Sequence, residues 1–512
     1  MLTDGAGALP LSLGTIAELN AESVPDLEAV VDGPRRVSWA ELHDRTARLA
    51  DALRTTLGGR RGDRVAFLGR NCLETVELFH ATARAGLLCV PLNERLAPAE
   101  LRAVMQSVEP VALFRADSHA DLAAELVSGT AIRLVGVRYP APFGYEDLLA
   151  AGRPAPAAQP EPVSSICFTS GTTGRPKGVL MTQHAQCAYA YAQAGLEPIN
   201  PRARHLFVRS MAVAPGHRMI AWHGITQGTT VVVPRFQPGE FFRAVEAERI
   251  TNVLLAPTML RMLLDQGNPD GHDLSSLVCI VYGGAPMTPQ LLREVLDFFP
   301  CGLMQGYGGS EAGQVLYLSP DDHRAGRVES NGRPVPGVQV EVRDPSGRIV
   351  PAGEVGELHV RSEMLMAGYW RDPVTTQKVL RDGWYATGDL ARQEPDGYLR
   401  VVGRTGDMII SGGFNIYPSD IESVLSKHEA IKEAAVVGVP SRQWGETPVA
   451  FVVLKTGHTA SAAEIRAWAN ERLGKTQRLA SVEIRAVLPR SAIGKVLKRE
   501  LRDQYAQAGS SS

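Results

Sequence analysis

A glycine- and threonine-rich segment, TSGTTGRPKG at positions 169–178, is the strongest candidate for chemistry in the sequence. It follows an apolar run that predicts a strand. Its glycines let the backbone turn sharply and bring N–H groups close to an anion. Its lysine, Lys177, adds a point charge suited to phosphate. The spacing is not that of the P-loop, so that interpretation fails, and an ordinary glycine–threonine hairpin is the alternative for the segment taken alone.

Five further segments with unusual residue patterns follow in order along the chain. They are YGGAP (282–286), GYGGSEAG (306–313), YATGDL (385–390), GRTGDMIISGGFNIYPSDIE (403–422) and IGK (493–495). Together with the first segment they resemble the adenylate-forming superfamily, which contains acyl-CoA synthetases, peptide-synthetase adenylation domains and beetle luciferases. The resemblance covers nearly the whole chain, and the form of GGFNIYPSDIE favours the acyl-CoA synthetases.

The resemblance implies that the first segment binds the phosphates of ATP. Its hydroxyl and backbone groups would contact the nucleotide, with Thr172 and Lys177 among the catalytic residues. The other nucleotide-binding residues implied here are Thr169, Ser170, Gly171, Thr173 and Gly174.

The second and third segments would hold the adenine ring. Gly283, Gly284 and Ala285 offer a surface poor in side chains against which a flat base can lie, and Tyr307 can stack on its other face. Without the other motifs, a tight turn and a core tyrosine would be the preferred interpretation. The resemblance adds Gly308 and Ser310 to the nucleotide site, Ser310 keeping a hydroxyl where most relatives have threonine. It places Gly306 and Gly309 beside the acyl group.

Two acidic residues and an arginine complete the implied nucleotide site. Glu311 would coordinate Mg²⁺ through a hard carboxylate oxygen, as the one metal ligand expected. Asp389 can accept hydrogen bonds from both ribose hydroxyls, because an ionised carboxylate only accepts. Arg404 can supply a second contact to ribose or phosphate. Taken singly, such residues would be interpreted as solvated loop or surface charges.

The last two segments imply a small domain that moves between two half-reactions. Lys495 would enter the site and neutralise charge on the carboxylate and the α-phosphate during adenylation. Asp407 matches the hinge about which the domain rotates. The glycine loop Ser411, Gly412 and Gly413 would then line the tunnel for the pantetheine arm of CoA, where glycine allows close approach.

Two segments depart from the superfamily pattern. Where most acyl-CoA synthetases carry an aromatic–histidine pair beside the acyl pocket, this chain has Val213 and Ala214. Either that gate is lost or His217 takes its role; a loop variation with the pocket rebuilt by other residues is the alternative. The family's Y-K-x-P is replaced by Thr-Gln-Arg-Leu at 476–479. Both departures bear on the substrate and the half-reactions, not on the fold.

Composition excludes several classes of protein. The 53 basic and 55 acidic residues give a formal net charge of -2, so no strong field draws the chain to nucleic acid. Six scattered cysteines without a CxxC pair favour reduced thiols in a cytoplasmic protein. No apolar run reaches membrane-spanning length, and the first residues contain Asp4 and no basic region, so we expect neither a span nor a secretory signal.

The elements that would position these residues alternate between helix and strand. Helical spacing over 39–57, followed by a short apolar run at 65–68, begins an alternation that predicts parallel sheets covered by helices. A small β region starts near Gly337, and an α+β unit follows Arg404. We therefore predict an α/β fold with a large N-terminal domain of stacked parallel-type sheets (1–404) and a small mobile α+β C-terminal domain (405–512).

The sequence thus predicts an acyl-CoA ligase that uses ATP, CoA and Mg²⁺. It would convert a carboxylic acid to an acyl-AMP and transfer the acyl group to CoA, and the small residues at Val213 and Ala214 favour a bulky, mainly apolar acid. Three alternatives stay open: a thioester-forming enzyme fed with acyl-AMP by a partner, an enzyme that loads a carrier protein, and a non-catalytic nucleotide-binding regulator. A homodimer is possible.

Overall fold

The computed structural model of the protein describes residues 12–116, 119–138, 143–154, 156–158, 161–169, 176–197, 203–285, 287–412, 414–490 and 496–509. Many helices begin at a proline in the first turn, where the missing N–H costs no hydrogen bond. Others begin at a serine that forms a reciprocal capping box, as Ser38 does with Glu41.

The helices are numbered in chain order. They are α1 (Ile16–Ser23), α2 (Trp39–Thr55), α3 (Leu73–Ala85), α4 (Pro98–Val108), α5 (Ala120–Val127), α6 (Tyr145–Ala151), α7 (Gln183–Leu196), α8 (Ala214–Ile225), α9 (Pro238–Ala247), α10 (Pro257–Gln266), α11 (Pro289–Phe298), α12 (Pro320–Arg324), α13 (Pro373–Val379), α14 (Pro418–Leu425), α15 (Ala462–Arg472) and α16 (Lys498–Gly509). Short 3-10 turns span Thr405–Asp407 and Lys475–Gln477.

The strands are numbered in the same way. They are β1 (Glu28–Asp32), β2 (Arg35–Ser38), β3 (Arg64–Leu68), β4 (Leu88–Leu92), β5 (Ala112–Arg115), β6 (Arg133–Gly136), β7 (Phe143–Gly144), β8 (Val163–Thr169), β9 (Lys177–Thr182), β10 (Arg204–Phe207), β11 (Thr229–Val232), β12 (Asn252–Leu255), β13 (Cys279–Gly283), β14 (Gly302–Gly309), β15 (Gly313–Leu318), β16 (Arg333–Pro334), β17 (Gln339–Arg343), β18 (Val355–Arg361), β19 (Gly368–Tyr369), β20 (Leu380–Arg381), β21 (Trp384–Gln393), β22 (Leu399–Arg404), β23 (Ile409–Ser411), β24 (Phe414–Ile416), β25 (Ile431–Ser441), β26 (Gly445–Leu454) and β27 (Ser481–Ile484).

The strands of the large domain form three sheets. The first has the order β16-β15-β14-β13-β12-β10-β11-β1-β2, and the second β19-β9-β8-β4-β3-β5-β6-β7. Both are parallel in their central strands, where runs such as β4 are buried throughout. The first sheet becomes antiparallel at both ends, and the second only at its β19-β9-β8 end. The third sheet is antiparallel and consists of β17, β18, β20, β21 and β22.

Helix α3 lies between the first two sheets. All thirteen of its residues are buried, and it contacts both β1 and β4. Its acidic residues are paired: Arg35 Nη1 lies 2.7 Å from Glu74 Oε1, and Arg45 donates to Glu77. These ion pairs offset the cost of burying the carboxylates.

The small domain begins after β22. Strands β23 to β27 form its sheet, and α14, α15 and α16 contact that sheet. The central residues of β25 and β26, which include five valines, are buried, whereas the strand ends are more exposed. The predicted α/β class, with a large domain and a small C-terminal one, is confirmed. The boundary at residues 404/405 stays a prediction.

One hairpin was not predicted. Strands β1 and β2 pair through a turn at Gly33, whose φ of 60° favours glycine, and they join the far end of the first sheet rather than the second. The N-terminal segment therefore contributes to both large sheets.

Candidate active site

Tyr307, Asp389 and Arg404 meet although they come from two different sheets. Tyr307 lies on β14 of the first sheet, while Asp389 on β21 and Arg404 on β22 are direct neighbours in the third. The Tyr307 hydroxyl donates to Asp389 Oδ2 at 2.6 Å, and Arg404 Nε donates to Asp389 Oδ1 at 2.8 Å. A carboxylate offers about four acceptor positions, so Asp389 keeps two for a ligand.

The protonation states of this triad suit hydrogen bonding. Burial and the neighbouring Asp389 raise the pKa of Tyr307 well above its usual value, so its hydroxyl remains a donor. Burial opposes the charge of Arg404, but Asp389 and Tyr307 outweigh it, and the pKa of Arg404 is raised. The carboxylate therefore faces two permanent donors.

The backbone before Asp389 fixes its direction. Gly388 has a φ of 73°, a conformation that favours glycine, and its N–H donates to Glu357 Oε1 at 3.0 Å. The N–H of Asp389 donates to the Thr387 hydroxyl at 3.0 Å. The T-G-D sequence therefore forms a turn that holds the carboxylate in place.

Glycines bring the strands of this site close together. A Cβ at Gly283 would lie 2.2 Å from the Gly306 carbonyl oxygen, and a Cβ at Gly308 would lie 1.9 Å from that of Gly313. These contacts lie at the carboxyl ends of β13 and β14, where open parallel sheets bind ligands. Gly284 and Gly309 are exposed beside them, with Ala285 and Ser310 partly buried.

Glu311 and Lys177 lie on either side of one tyrosine. The Tyr369 hydroxyl donates to Glu311 Oε1 at 3.1 Å, and Lys177 Nζ lies 5.2 Å from the centre of the Tyr369 ring. Burial and Glu311 raise the pKa of Tyr369. Tyr369 was not predicted as a site residue. The described residues contain no cluster of three His, Cys, Asp or Glu side chains that could hold a metal, so a cation here would need ligands from a bound molecule as well.

Several predicted site residues lie outside the described residues. They are Ser170, Gly171, Thr172, Thr173, Gly174, Gly413 and Lys495. The strands on either side of the first segment pair antiparallel, with Thr169 opposite Lys177.

The predicted acyl-pocket residues occupy two sides of α8. Val213 precedes the helix, and Ala214 begins it in a core cluster that also contains Tyr189. His217 is fully buried, and its ring lies edge-on to Phe79 of α3, with 4.7 Å between the ring centres. Burial lowers the pKa of His217 to about 3, so it is neutral near pH 7. Its assignment to the acyl pocket stays a prediction.

Arg218 is a buried cation that the sequence analysis missed. It is 2% exposed and follows Ala214 by one helical turn. Its Nη2 donates to the Ser310 carbonyl at 3.0 Å, and its guanidinium lies 5.3 Å from the Tyr189 ring. A charged residue in the otherwise apolar stretch APGHRMIAWHGI was the signal that could have revealed it.

Arg218 belongs to a row of buried polar side chains along α7, which we call the α7 seam. Tyr189, Gln193 and Glu197 recur every fourth residue, so they share one face of α7 and its C-terminal end. Gln193 donates to Gln314 of β15, and Asn252 of β12 donates to Glu197 Oε2 at 3.0 Å. The seam consists of Tyr189, Gln193, Glu197, Arg218, Asn252 and Gln314, each of them at least nine-tenths buried.

The predicted hinge and tunnel residues lie close together at the start of the small domain. Asp407 Oδ1 is 4.0 Å from Arg502 Nη2 of α16. Gly412 has a φ of 58°, and its N–H donates to the Trp444 carbonyl at 2.7 Å. A Cβ there would lie 3.0 Å from the Trp444 ring, which together with the positive φ favours glycine. Ser411 is buried beside it.

Comparison with known families agrees with this architecture. Residues 17–370 match the model of the AMP-binding enzyme family, and residues 420–495 match the AMP-binding enzyme C-terminal domain. The chain belongs to the AMP-binding enzyme family, the adenylate-forming enzymes. It is an acid–thiol ligase of the acyl-CoA synthetase type, and the predicted family and enzyme class are confirmed.

The similar proteins differ in the group that accepts the acyl chain. A feruloyl-CoA synthase from Amycolatopsis is 36% identical over 498 residues, 96% of this chain and 99% of that protein. A fatty acid–[acyl-carrier-protein] ligase, ScoC from Streptomyces coeruleorubidus, is 33% identical over 95% of each chain. The solved structure of the amide bond synthetase McbA from Marinactinospora thermotolerans superposes with a TM-score of 0.88 at 32% identity, covering 97% of this chain and all of that one. No helix in the described part of the chain is long and apolar enough to cross a membrane.

Proposed function

We propose that this ligase adenylates a bulky, mainly apolar carboxylic acid with ATP and then transfers the acyl group to CoA. The observation that carries the proposal is the convergence of Tyr307, Asp389 and Arg404, with two acceptor positions left on Asp389. The small residues Val213 and Ala214, which stand where most relatives carry an aromatic–histidine pair, favour a bulky acyl group. In this proposal the cytoplasm is the site of action.

In the first half-reaction, the substrate carboxylate would attack the α-phosphate and release pyrophosphate. Asp389 would accept the ribose hydroxyls, and Tyr307 would cover one face of the adenine. Lys177 and Lys495 would offset the charge that develops between carboxylate and phosphate. Thr172 would donate its hydroxyl to a phosphate oxygen.

Glu311 fits the proposed Mg²⁺ because its Oε2 is not engaged by Tyr369 and hard carboxylate oxygens suit this ion. When bound beside the phosphates, Mg²⁺ would supply positive charge that stabilises the departing pyrophosphate. Magnesium sites of nucleotide enzymes commonly combine one or two carboxylates with substrate phosphates, which agrees with a single acidic ligand here.

In the second half-reaction, the CoA thiolate would displace AMP. The small domain would rotate about Asp407, and the loop at Ser411, Gly412 and Gly413 would line the path of the pantetheine arm. The carrier-protein acceptor is the second candidate, favoured by the similarity to ScoC. Amide formation is a third acceptor chemistry, favoured by the similarity to McbA.

Lys495→Ala separates the two half-reactions. We expect pyrophosphate release from free acid and ATP to fall about 10²–10³-fold, by analogy with the loss of one preorganised donor. Conversion of synthetic acyl-AMP and CoA to acyl-CoA should be largely retained. Lys427→Ala, an exposed lysine of the same domain, is the matched control and should change neither rate.

The wild-type enzyme distinguishes the alternatives. Pyrophosphate release in the first assay supports the full ligase, whereas product from acyl-AMP alone identifies a thioester-forming enzyme. Replacing CoA by a holo carrier protein or an amine, with products weighed by mass spectrometry, identifies the acceptor. No AMP formed under any of these conditions would refute the proposed function in favour of a nucleotide-binding regulator.

A further inference from the structure

The α7 seam contains buried hydrogen-bond donors that have no acceptor. Nε and Nη1 of Arg218 and Nε2 of Gln314 are buried and have no hydrogen-bond partner among the residues that the structure describes. Buried polar groups are nearly always hydrogen-bonded, and an orphaned donor is costly. All three atoms are donors, so what is missing beside them is an acceptor.

The seam also carries a positive charge that is not balanced nearby. No carboxylate oxygen of the described residues lies within 4.0 Å of the Arg218 guanidinium. The titratable groups that face it are Tyr189, Cys167 and, farther off, Glu311. Burial raises the pKa of both the Tyr189 hydroxyl and the Cys167 thiol to about 12, so neither is negatively charged near pH 7.

The acid at the other end of the seam does not balance this charge either. Burial raises the pKa of Glu197 to about 8, so its carboxyl is mostly neutral at pH 7. The seam therefore favours a group that accepts hydrogen bonds, and an oxyanion most of all.

The seam borders a glycine that the resemblance places beside the acyl group. A Cβ at Gly306 would lie 3.0 Å from Gln314 Oε1, so the glycine predicted beside the acyl group contacts the Gln314 side chain directly. Arg218 holds the Ser310 carbonyl, which immediately precedes Glu311. The orphaned donors thus border the β14–β15 hairpin that carries the reaction site.

A role in supporting the β14–β15 hairpin accounts for only part of the hydrogen-bonding capacity of Arg218. Its bond to the Ser310 carbonyl uses one N–H of the five that a guanidinium offers. Nε and Nη1 remain unexplained by that role.

We propose that the acid activated by this ligase carries an acceptor oxygen remote from its reacting carboxylate, and that Arg218 and Gln314 bind that oxygen. The proposal rests on the proposed function, since it names the class of acid that the same site takes. The acceptor is a carbonyl or an anionic oxygen attached to a bulky, otherwise apolar acyl group. Arg218 is thus a specificity-determining residue.

The test is a set of acids of nearly equal shape. The assay measures kcat/KM for AMP formation in the presence of CoA. It compares benzoic, phenylacetic and phenylpropanoic acids, each of which bears a 4-isopropyl, 4-acetyl or 4-sulfonate group. The isopropyl group has no acceptor, acetyl has a neutral one, and sulfonate has a charged one that is not itself a carboxylate. We expect the wild-type enzyme to prefer an acceptor-bearing acid over its isopropyl counterpart by about tenfold or more.

Arg218→Met should abolish that preference. We expect the ratio of kcat/KM for the acceptor acid to that for the isopropyl acid to fall about 10–100-fold relative to the wild-type enzyme. Gln314→Met keeps Arg218 and should lower the same ratio by a smaller factor. This variant tests the proposal if Arg218→Met does not fold. Arg243→Met, a change on the solvent side of α9, should leave the ratio unchanged.

Two outcomes overturn the proposal. An equal loss for both kinds of acid would mean that Arg218 only supports the Ser310 turn, and the absence of any acceptor preference in the wild-type enzyme would remove its basis. If no acid is turned over, the proposed function fails separately, and the same ratios are measured by calorimetric binding of the acids to the AMP-bound enzyme.

Discussion

Helix α3 and the α7 seam bury polar side chains to the same degree but satisfy them differently. On α3, Glu77 is fully buried, yet Arg45 and the Tyr145 hydroxyl both donate to it. In the seam, Arg218 is equally buried and has one hydrogen bond, to a backbone carbonyl. The paired charges of α3 need nothing from outside the chain. The proposed ligand would supply the acceptor that two nitrogen atoms of Arg218 lack among the described residues.

Breaking a pair on α3 should have the largest effect on stability. Arg45→Met leaves the Glu77 carboxylate buried without its cation, and we expect the free energy of unfolding to fall by about 3–5 kcal/mol. Urea denaturation followed by circular dichroism measures this. Glu146→Ala removes the exposed partner of the same arginine and should cost at most about 1 kcal/mol. Equal losses in the two variants would contradict this view of α3.

The carboxyl group of the seam should respond to pH. Burial raises the pKa of Glu197 from its ordinary 4.5 to about 8, so the folded state holds a proton that the unfolded state releases. The contribution of Glu197 to the free energy of unfolding is therefore fully present below about pH 4.5, and it is lost as pH rises towards 8. Glu197→Gln should remove this loss and be more stable than the wild-type protein by roughly 1–4 kcal/mol at pH 9.

Unfolding curves at pH 5, 7 and 9 provide the measurement for Glu197→Gln. The exposed Glu471→Gln is the control and should track the wild-type protein at each pH. A Glu197→Gln variant that shows the same pH dependence as the wild-type protein would mean that Glu197 is ionised in the fold.

Asp389 resembles both α3 and the α7 seam. Its carboxylate is paired, as on α3, but it still has free acceptor positions for a ligand. Asp389→Ala should weaken ATP and AMP binding by about 1.5–3 kcal/mol through loss of charge-assisted hydrogen bonds to ribose. Isothermal titration calorimetry measures the affinity. Asp396→Ala, which removes an exposed carboxylate in the β21–β22 turn, should not change it. Unchanged affinity in Asp389→Ala would refute the ribose assignment.

Removing the unpaired cation should have the smallest effect on stability. Arg218→Met deletes a buried charge that lacks a carboxylate partner, so we expect the free energy of unfolding to stay within about 1 kcal/mol of wild type. The same urea titration compares its free energy of unfolding with that of Arg45→Met. A loss of about 3 kcal/mol would show that the guanidinium is already fully satisfied within the chain, and the contrast with α3 would disappear.

Much of the fold followed from the sequence because its signals are local. Helix α2 was expected over 39–57 and spans Trp39–Thr55, and the short apolar run noted at 65–68 lies in β3, which spans Arg64–Leu68. The β1–β2 hairpin was missed because its pairing with β11 is between segments about two hundred residues apart, which no periodicity encodes.

The site was predictable where glycine and charge recur in short motifs, and not where it depends on packing between elements. Lys177, Tyr307 and Asp389 stand in such motifs. Tyr369 and Arg218 do not, because their importance arises from neighbours that come from other sheets or helices. The four-residue spacing of Tyr189, Gln193 and Glu197 was visible, but only burial reveals that these residues face the interior.

Residues of α8 that border the seam differ from those that pack the helix against α3. Ala214 and Arg218 lie one turn apart and border the seam, whereas the His217 ring packs edge-on against Phe79 of α3. Under the proposed function, an exchange at Ala214 or Arg218 would change the acid that the enzyme accepts while the contact between His217 and α3 stays unchanged. A library randomised at these two positions alone samples such exchanges directly, since the residues that hold the helix in place stay untouched.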